Sequence, residues 1–359
     1  MSTTSSPATR GPSATVSSAG SVVARSSSPI FLNRIRPTSL AVKDRCLICE
    51  RRCVIKEGGF GFCRTKKNIE GKIHTTVYGY ISSLSRNPIE KKPLFHFYPG
   101  SYALTAGTYS CNFPCPWCQN WEISKYPPEE GNGRYIAPEE FVELAISSNC
   151  QGTSVSFNEP TLLFDWSLEL FPLARDRGLY NTFVTNGYMS EEALKRLIQA
   201  GLDGANFDLK GNKEVYRLLK ADGEIIWRNL KLARKMGLHI EITTLIITGV
   251  SDRGSMIREI ARRIVDELGP DIPWHLTRYF PAYRYDQPPP PISLLEDLFQ
   301  VAKDEGIRYL YLGNVPGHRW ENTYCPRCNS LLIKRIGRVE NFLKDSTCPN
   351  CGYSIPLVD

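Results

Sequence analysis

The sequence predicts an α/β protein built around a partial (βα)6 barrel of the TIM type, flanked by an N-terminal four-cysteine segment and a C-terminal zinc-ribbon-like module. Short apolar strand patterns alternate with helical patterns about six times through the middle of the chain, and repeated βα units indicate a parallel sheet with helices outside it. The cysteines fall into three clusters, one in the barrel region and one on each side of it. A doubly wound sheet is the alternative architecture.

The strand patterns of the predicted sheet are Tyr102–Thr108, Ser154–Phe157, Thr182–Thr185, Ala205–Leu209, Ile240–Ile247, Trp274–Arg278 and Tyr309–Leu312. Helical patterns between them include Pro138–Ser148, Glu191–Ala200, Ile225–Met236, Ser255–Leu268 and Leu294–Glu305. Pro138 suits the first turn of a helix, and Ser190 suits an N-cap. Because about six units fall short of the eight in a complete barrel, we expect the barrel to be open.

We divide the 359 residues into a leader (1–43), a cysteine-rich β segment (44–100), the barrel (101–318) and the ribbon-like module (319–359). The leader begins with a Ser-, Thr- and Ala-rich stretch that has almost no large apolar side chains, which predicts disorder. Its Ser and Arg content and its lack of acids would also fit an organelle transit peptide, although it shows no clear amphipathic Arg helix.

Charge and hydropathy argue against two classes of partner. The formal net charge is +7, but five basic residues precede the first acid, Asp44, so the remaining chain is close to neutral. Those five are Arg10, Arg25, Arg34, Arg36 and Lys43. A near-neutral body gains little from counterion release, so nucleic acid is not expected as a partner. The longest apolar run, around residues 245–247, is far shorter than the roughly 18 residues of a membrane helix, so no membrane span is expected.

Eleven of the twelve cysteines are clustered, and Cys150 stands alone at the end of a helical pattern. Cysteines grouped in CxxC pairs, in a chain without a signal-peptide pattern, indicate metal sites in a reducing compartment rather than disulfides. We therefore expect a cytoplasmic protein, with organelle targeting by the leader as the alternative. Cys150 is interpreted as a buried structural thiol.

The central cluster, Cys111, Cys115 and Cys118, has C-x3-C-x2-C spacing. Three thiolates on one loop can hold three corners of a cubane, whereas a fully protein-ligated [4Fe–4S] cluster needs four cysteines. One iron would then stay open to a small molecule, as one position of a catalytic zinc does. A zinc knuckle or a disulfide is the alternative, but the nearest histidines, His74 and His96, lie upstream and outside finger spacing.

Two further cysteine groups each offer four ligands, and they are Cys46, Cys49, Cys53 and Cys63 in the first group and Cys325, Cys328, Cys348 and Cys351 in the second. Glycines near Cys63 let the first group close, and both a structural zinc and a fully ligated iron–sulfur cluster fit its irregular spacing. The second group has the paired C-x2-C knuckles of a zinc ribbon, with rubredoxin-like iron as the minor alternative.

The central loop, with the aromatic Trp117 just before its last cysteine, resembles the cluster loop of the radical S-adenosylmethionine (SAM) superfamily. Polar residues at the predicted strand ends, where a parallel barrel gathers its active site, fit this resemblance. They are Asn158, Glu159, Asn186, Asp208, Lys210, His275 and Arg278. A methionine zwitterion with an attached adenosine needs such carboxylates, cations and ribose-binding groups, although each residue alone could be a turn or helix cap.

Three of these motifs, at residues 158–160, 185–187 and 208–210, resemble the branch of pyruvate formate-lyase-activating enzymes. The chain departs from that branch at Val184, where the activases have Asp, and at Phe157, where they have Gly. The four-cysteine segment, residues 88–97 and 118–124, and the C-terminal Cys-Pro-x-Cys pair resemble the radical SAM member of the AmmeMemoRadiSam system. That resemblance covers roughly residues 44–359.

The resemblance implies an enzyme that cleaves SAM reductively at a [4Fe–4S] cluster held by Cys111, Cys115 and Cys118, for hydrogen abstraction from an unidentified substrate, with a protein partner as one candidate. It implies an electron donor and protein partners from the AmmeMemoRadiSam system. The remaining implied SAM contacts are Glu159 to the ammonium, Lys210 and Arg278 to the carboxylate, Asn186 and His275 to the ribose or carboxylate, and Trp117 to the adenine. A radical RNA-modifying enzyme and a non-catalytic metal-ribbon adaptor are the alternatives.

Overall fold

The structure, a computed structural model, describes residues 35–126 and 133–359. Its N-terminal part contributes seven short strands, β1 Arg36–Pro37, β2 Ala41–Val42, β3 Arg45–Cys46, β4 Lys66–Ile69, β5 Lys72–Thr75, β6 Tyr80–Ile81 and β7 Ser83–Pro88. The barrel region then alternates strands and helices, in the order β8 Tyr102–Gly107, α1 Trp121–Ser124, β9 Arg134–Tyr135, α2 Pro138–Ser147, β10 Gly152–Val155, α3 Phe164–Asp176, β11 Tyr180–Thr185, α4 Glu191–Ala200, β12 Gly204–Asp208, α5 Lys213–Leu218, α6 Gly223–Lys235, β13 His239–Ile246, α7 Gly254–Glu267, β14 Trp274–Arg278, α8 Ile292–Asp304 and β15 Leu310–Gly313. The C-terminal module has strands β16 Thr323–Tyr324, β17 Leu331–Lys334 and β18 Glu340–Asn341.

The central sheet has eight strands in the order β15-β14-β13-β12-β11-β10-β8-β7. The seven strands β8 and β10 to β15 are parallel to one another, and β7 adds an antiparallel edge. A doubly wound sheet reverses its strand order at a switch point, whereas this order is monotonic. The open (βα)6 prediction is therefore confirmed and the doubly wound alternative is wrong. The antiparallel edge strand is an addition that the sequence pattern did not predict.

Helix α4 shows how the sequence sets the ends of an element. The Ser190 side chain accepts a hydrogen bond from the Ala193 backbone nitrogen at 3.1 Å, as an N-cap does. Gly201 ends the helix with a φ of 116°, which a glycine adopts without steric cost. Between these ends, Leu194 and Leu197 are buried and face the core. The predicted cap at Ser190 is confirmed, as is Pro138 in the first turn of α2.

The predicted leader lies mostly outside the described residues, because the structure describes none of residues 1–34, which include Arg10, Arg25 and Arg34. Its last part differs from the expected disorder, since residues 36–42 contain strands β1 and β2. The Thr38 hydroxyl and the Ser39 backbone nitrogen donate to the Asp165 carboxylate at 2.7 and 2.8 Å. Because of these contacts to α3, the folded part of the chain begins before residue 44.

The C-terminal module packs against the barrel and against the segment before β8. Tyr309 and Tyr311, at β15, share a buried cluster with Leu332 of β17 and with Phe95. Tyr98 and Val358 also form a backbone hydrogen bond of 2.6 Å. The module is therefore part of the wall of the barrel. Within the described residues, no helix is both long and apolar enough to cross a membrane.

Candidate functional site

A cavity of about 1340 Å³ opens at the carboxyl ends of the parallel strands. It is lined by the three cysteines of the central loop and by most of the predicted strand-end residues, namely Cys111, Cys115, Cys118, Trp117, Asn158, Glu159, Asn186, Asp208, Lys210 and His275. The structure therefore brings the cysteine loop and the polar strand ends to one place, as a parallel barrel predicts.

The cysteine loop is fixed by Asn158, at the end of β10. The Asn158 side chain donates to the Ser110 carbonyl at 2.7 Å and accepts from the Thr108 nitrogen at 3.0 Å. Asn158 was predicted to bind cofactor; the structure uses both ends of its amide to hold the backbone before Cys111. Burial raises the pKa of Cys111 to about 12, so its thiol is protonated until a metal binds and releases the proton.

The chemistry of this donor set fits a cubane rather than a single ion. Ligands of one ion converge closely, and among residues 35–126 and 133–359 only the ribbon cysteines form such a group. In a cubane each thiolate binds its own iron, so the sulfur atoms stay farther apart. Lys125 and Lys210 lie near the buried Cys115 and favour its thiolate electrostatically. Cys111, Cys115 and Cys118 thus fit a cluster held by three protein ligands.

Glu159 is almost fully buried and held by neighbouring groups. Its Oε1 accepts from the Thr161 nitrogen at 3.1 Å, the Thr161 hydroxyl, and the Thr185 hydroxyl at 2.8 Å. Within residues 35–126 and 133–359, its Oε2 accepts only from the Asn186 nitrogen, at 2.9 Å. Burial raises the pKa of Glu159 above its ordinary range. One carboxylate oxygen is thus engaged inside the protein, and the other can accept one more donor from the cavity.

Asn186 links the strand end to the cysteine loop. Its Nδ2 donates to Asn112 Oδ1 at 2.7 Å and lies 3.9 Å from Cys111 Sγ. Its Oδ1 accepts from the Tyr188 nitrogen at 3.0 Å. The Asn186 side chain is therefore oriented beside a predicted cluster ligand, and its role toward SAM stays a prediction.

Asp208 and Lys210 form an ion pair at the end of β12, with 2.5 Å between Oδ2 and Nζ. Burial alone would lower the pKa of Lys210, but the Asp208 carboxylate and the Cys115 thiol hold that pKa above its ordinary value. The ammonium therefore stays charged inside the cavity wall. Lys210 can bind a carboxylate, and Asp208 positions it.

His275 is buried in a network of charged and aromatic groups. Its Nε2 lies 2.7 Å from Glu241 Oε2, and its ring stacks on Tyr311 at 5.1 Å between centroids. Burial would raise the pKa of Glu241, but hydrogen bonds from His239 and His275 hold that pKa well below its usual range. The ionised Glu241 carboxylate fixes the orientation of the His275 ring against the cavity.

Arg278 is not among the described residues that line the cavity, and its predicted role in SAM binding stays a prediction. Its Nε donates to the Pro290 carbonyl at 2.8 Å, and its guanidinium lies 5.3 Å from the centre of the Phe280 ring. Successive side chains of a strand alternate between faces, and on β14 the face toward the cavity carries His275 and Thr277. Arg278 belongs to the opposite face.

The sequence did not identify several polar groups of the cavity wall. Trp117 Nε1, Thr243 Oγ1 and Thr277 Oγ1 are buried and have no hydrogen-bond partner among the described residues, and all three residues line the cavity. Buried polar atoms are almost always partnered, so a polar ligand or ordered water in the cavity can satisfy these atoms. Their alternating position on the strands is the one signal that could have found the threonines.

Lys92 is a second cavity residue that sequence reasoning missed. Its ammonium is buried, donates to Asn87 Oδ1 at 3.0 Å and lies 4.7 Å from the centre of the Phe157 ring. Burial, together with the nearby charge of Lys91, lowers the pKa of Lys92 to about 7. Phe157 itself adopts a left-handed φ of 69°, which is unusual for a residue with a Cβ. A cation so weakly compensated indicates a site for an anionic group.

The C-terminal cysteines have the geometry of ligands to one ion. Cys325 Sγ and Cys351 Sγ are 3.5 Å apart, Cys328 Sγ and Cys348 Sγ are 3.6 Å apart, and all four sulfurs lie within 4.8 Å of one another. Four ligands on a tetrahedral zinc with Zn–S bonds of about 2.3 Å are separated by similar distances. This arrangement fits the predicted ribbon site, and the metal itself stays a prediction.

Known proteins are similar to this chain in sequence. Residues 106–264 match the Radical SAM superfamily. An uncharacterized protein of Methanocaldococcus jannaschii is 43% identical over 322 residues, which are 88% of this chain and 96% of that protein. Another protein of that organism, which carries the name of a glycyl-radical enzyme activating enzyme, is 28% identical over 58% of this chain and 78% of its own length. A domain of a pyruvate-formate lyase-activating enzyme from Bacteroides vulgatus superposes with a TM-score of 0.40 and 17% identity, over 45% of this chain and 99% of that domain.

Proposed function

The chain belongs to the radical SAM superfamily, and on this premise we propose that it is an enzyme that cleaves SAM reductively and abstracts hydrogen from a substrate. The observation that carries the proposal is the convergence of three cysteines, the Asp208–Lys210 pair and the unpartnered polar atoms on one cavity. Membership in the superfamily implies an iron–sulfur cluster and SAM, which together supply one-electron cleavage of the sulfonium bond when bound.

The cavity residues suit the binding and orientation of SAM. Glu159 Oε2 has a free acceptor position for the ammonium group, and Lys210 offers a charged donor to the carboxylate. Thr277 and His275, neighbours on one face of β14, suit the ribose hydroxyls, and Trp117 suits the adenine. These residues bind and orient SAM, while the cavity walls exclude water from the reaction.

Lys92 indicates the character of the substrate. It lies on the part of the cavity wall formed by residues 87–102. An ammonium with little compensation gains most from an anion, so the substrate, whether a small molecule or a protein partner, is proposed to present a carboxylate or phosphate there.

We propose three further features. The ribbon cysteines are proposed to hold zinc, because their sulfur separations suit it. The resemblance of residues 44–359 to the AmmeMemoRadiSam member supports protein partners from that system, together with a separate electron donor. The clustered cysteines support a reducing, cytoplasmic location. The near-neutral body gives the RNA-modifying alternative little support.

The experiment that tests this function is anaerobic reconstitution with iron and sulfide, followed by dithionite and SAM. We expect an oxygen-sensitive cluster and the products 5′-deoxyadenosine and methionine. Cys115→Ala should lose both, because two thiolates do not hold the cubane. Cys150→Ala, which removes a buried cysteine outside the three clusters, is the matched control and should keep both. Reductive SAM cleavage by the Cys115→Ala variant would contradict the proposal.

A further inference from the structure

The four N-terminal cysteines lie together at one end of the cysteine-rich segment. Cys46 is within electrostatic range of Cys53 and Cys63, and Cys49 is within range of Cys46 and Cys63. The Cys46 nitrogen donates to the Cys53 carbonyl at 3.0 Å, which pairs the two ends of the 46–53 loop. A Cβ built at Gly61 would lie 3.6 Å from Cys53 Sγ, so the glycine leaves space beside that sulfur. All four thiols are free and buried or half-buried.

These four sulfurs do not have the geometry of ligands to one ion. The ribbon cysteines form the only group in the described residues whose ligand atoms converge closely enough for that. The N-terminal four are therefore spaced more widely than the ribbon cysteines, and a cubane, which takes each ligand on its own iron, requires wider spacing than a zinc. With four thiols rather than three, every iron of such a cluster would have a protein ligand.

Two hydrogen bonds from side chains to backbone carbonyls join this group to the cysteine loop of the cavity. The Ser110 hydroxyl donates to the Cys63 carbonyl at 2.6 Å, and Arg51 Nε donates to the Asn112 carbonyl at 3.1 Å. Ser110 and Asn112 are the two neighbours of Cys111, and Arg51 lies between Cys49 and Cys53. The two cysteine groups are thus held in contact on both sides of Cys111.

The side chain of Asn112 lies between the two groups. Its Oδ1 accepts from Asn186, on the cavity side. Its Nδ2 is buried, and among the described residues it has no acceptor at hydrogen-bond distance, but the Cys49 thiol is its neighbour. Buried amide donors in folded proteins almost always have a hydrogen-bond acceptor, so Asn112 Nδ2 is expected to have one as well. A thiolate at Cys49 that ligates iron would be that acceptor.

The surrounding charge also suits a cluster. Four thiolates around a cubane leave a net negative charge, which is costly to bury without a cation. Lys66 is buried, donates to the Leu162 carbonyl at 3.1 Å and lies within electrostatic range of Cys46. Its ammonium therefore offsets negative charge at the N-terminal group.

We propose that Cys46, Cys49, Cys53 and Cys63 hold a second, fully protein-ligated [4Fe–4S] cluster, that Asn112 donates to its Cys49 ligand, and that this cluster passes single electrons to the one in the cavity. Only the electron-transfer role depends on the proposed function. Each transfer oxidises the second cluster by one electron and reduces the first by one, and a low-potential donor of the flavodoxin or ferredoxin class restores the second.

The site is tested by metal content rather than by turnover. After anaerobic reconstitution the full chain is expected to hold about eight irons and eight sulfides. A variant with Cys111, Cys115 and Cys118 changed to Ala should keep about four irons, with the electron paramagnetic resonance signal of a reduced cubane. Zinc without iron in that variant, or a full chain with only about four irons, would overturn the second cluster.

The role of Asn112 is tested in the same triple variant, where only the second cluster gives a signal. A hydrogen bond to a ligand sulfur stabilises the more negative, reduced cluster, so adding Asn112→Ala should move its midpoint potential to a more negative value. Redox titration followed by electron paramagnetic resonance measures this shift. An unchanged midpoint would show that the amide does not contact the cluster.

Electron transfer is tested with Cys49→Ala in the otherwise native chain. With reduced flavodoxin as donor, we expect SAM cleavage to slow at least tenfold, while dithionite, which is small enough to reduce the cavity cluster directly, should still support it. Equal rates for the variant and the native chain with flavodoxin would overturn the relay and leave the proposed function intact. Failure of the native chain to cleave SAM with either donor would overturn the proposed function, while the iron count still decides the second cluster.

Discussion

Changing Glu159 to Gln separates a SAM-binding role from a structural one. The substitution keeps the size of the side chain but removes its charge and replaces one carboxylate oxygen by an NH2 donor. In the structure Oε1 already accepts three hydrogen bonds, whereas Oε2 accepts one, from the Asn186 nitrogen. The NH2 group would either face a donor already present or occupy the position proposed for the SAM ammonium.

The expected magnitude follows from these contacts. Loss of one charge-assisted hydrogen bond to the ammonium costs about 1.5–3 kcal/mol, or roughly one to two decades in the Kd for SAM. A donor left unsatisfied inside the protein costs a further ~1–3 kcal/mol of folding stability. Burial raises the pKa of Glu159, so this carboxylate takes up a proton at a higher pH than an exposed glutamate does. Lowering the pH should therefore weaken SAM binding by the native protein at that higher pH. The variant should lack this part of the pH dependence.

The assay is equilibrium dialysis of SAM into reconstituted protein, with cluster absorbance as a check that the cubane survives. Thr185→Val is the matched control. It removes the hydrogen bond that the Thr185 hydroxyl donates to Glu159 Oε1 and the one that this hydroxyl accepts from the Gly187 nitrogen, but it leaves the charge of Glu159 in place. If Glu159→Gln weakens SAM binding 10- to 100-fold and Thr185→Val changes it less than threefold, the carboxylate contacts SAM. Equal losses in both variants would refute the contact and leave Glu159 as a structural residue.

Three further predictions concern charges and metal. Lys210→Ala should weaken SAM binding by about one to two decades in the same assay without loss of cluster absorbance, and unchanged affinity would make the Lys210 pair with Asp208 structural. Lys92→Met should raise the Tm by several degrees below pH 7, because a pKa near 7 means that ionised Lys92 is disfavoured in the folded state. This gain in Tm should fade as the pH approaches the ordinary lysine pKa of 10.5. The control, Lys91→Met at an exposed position, should show no such gain. Cys328→Ser in the full chain should lose one equivalent of zinc by metal analysis while the iron content stays unchanged, and retained stoichiometric zinc would contradict the ribbon site.

The sequence predicted the sheet more completely than the site. All seven parallel strands were found, since each is a short apolar run bounded by turn residues. Helix α3 was not predicted, because Pro172 lies in its interior and a proline in a single sequence indicates the end of a helix. The antiparallel strand β7 carries mostly half-buried polar residues, so it has no apolar run to identify it.

In the site, residue type was predictable and side-chain direction was not. Arg278 and His275 lie on one strand, but only strand register decides which of them faces the cavity. Glu159 has the predicted position, yet its carboxylate also holds Thr161, Thr185 and Asn186, which depends on contacts between separate strands. Burial of Lys92 likewise depends on packing across the fold, which a local motif does not record.

The contact between the C-terminal tail and the segment before β8 has a consequence for the order of assembly. The Val358 nitrogen donates to the His96 carbonyl at 2.9 Å, and Arg335 donates to the Phe95 carbonyl at 2.6 Å. Phe95, Arg335 and Val339 all line the cavity. Because a chain emerges from the ribosome with its N-terminus first, this side of the cavity cannot close until residues 335–358 have been made. We therefore expect the cavity cysteines to be more accessible before this segment docks than after it.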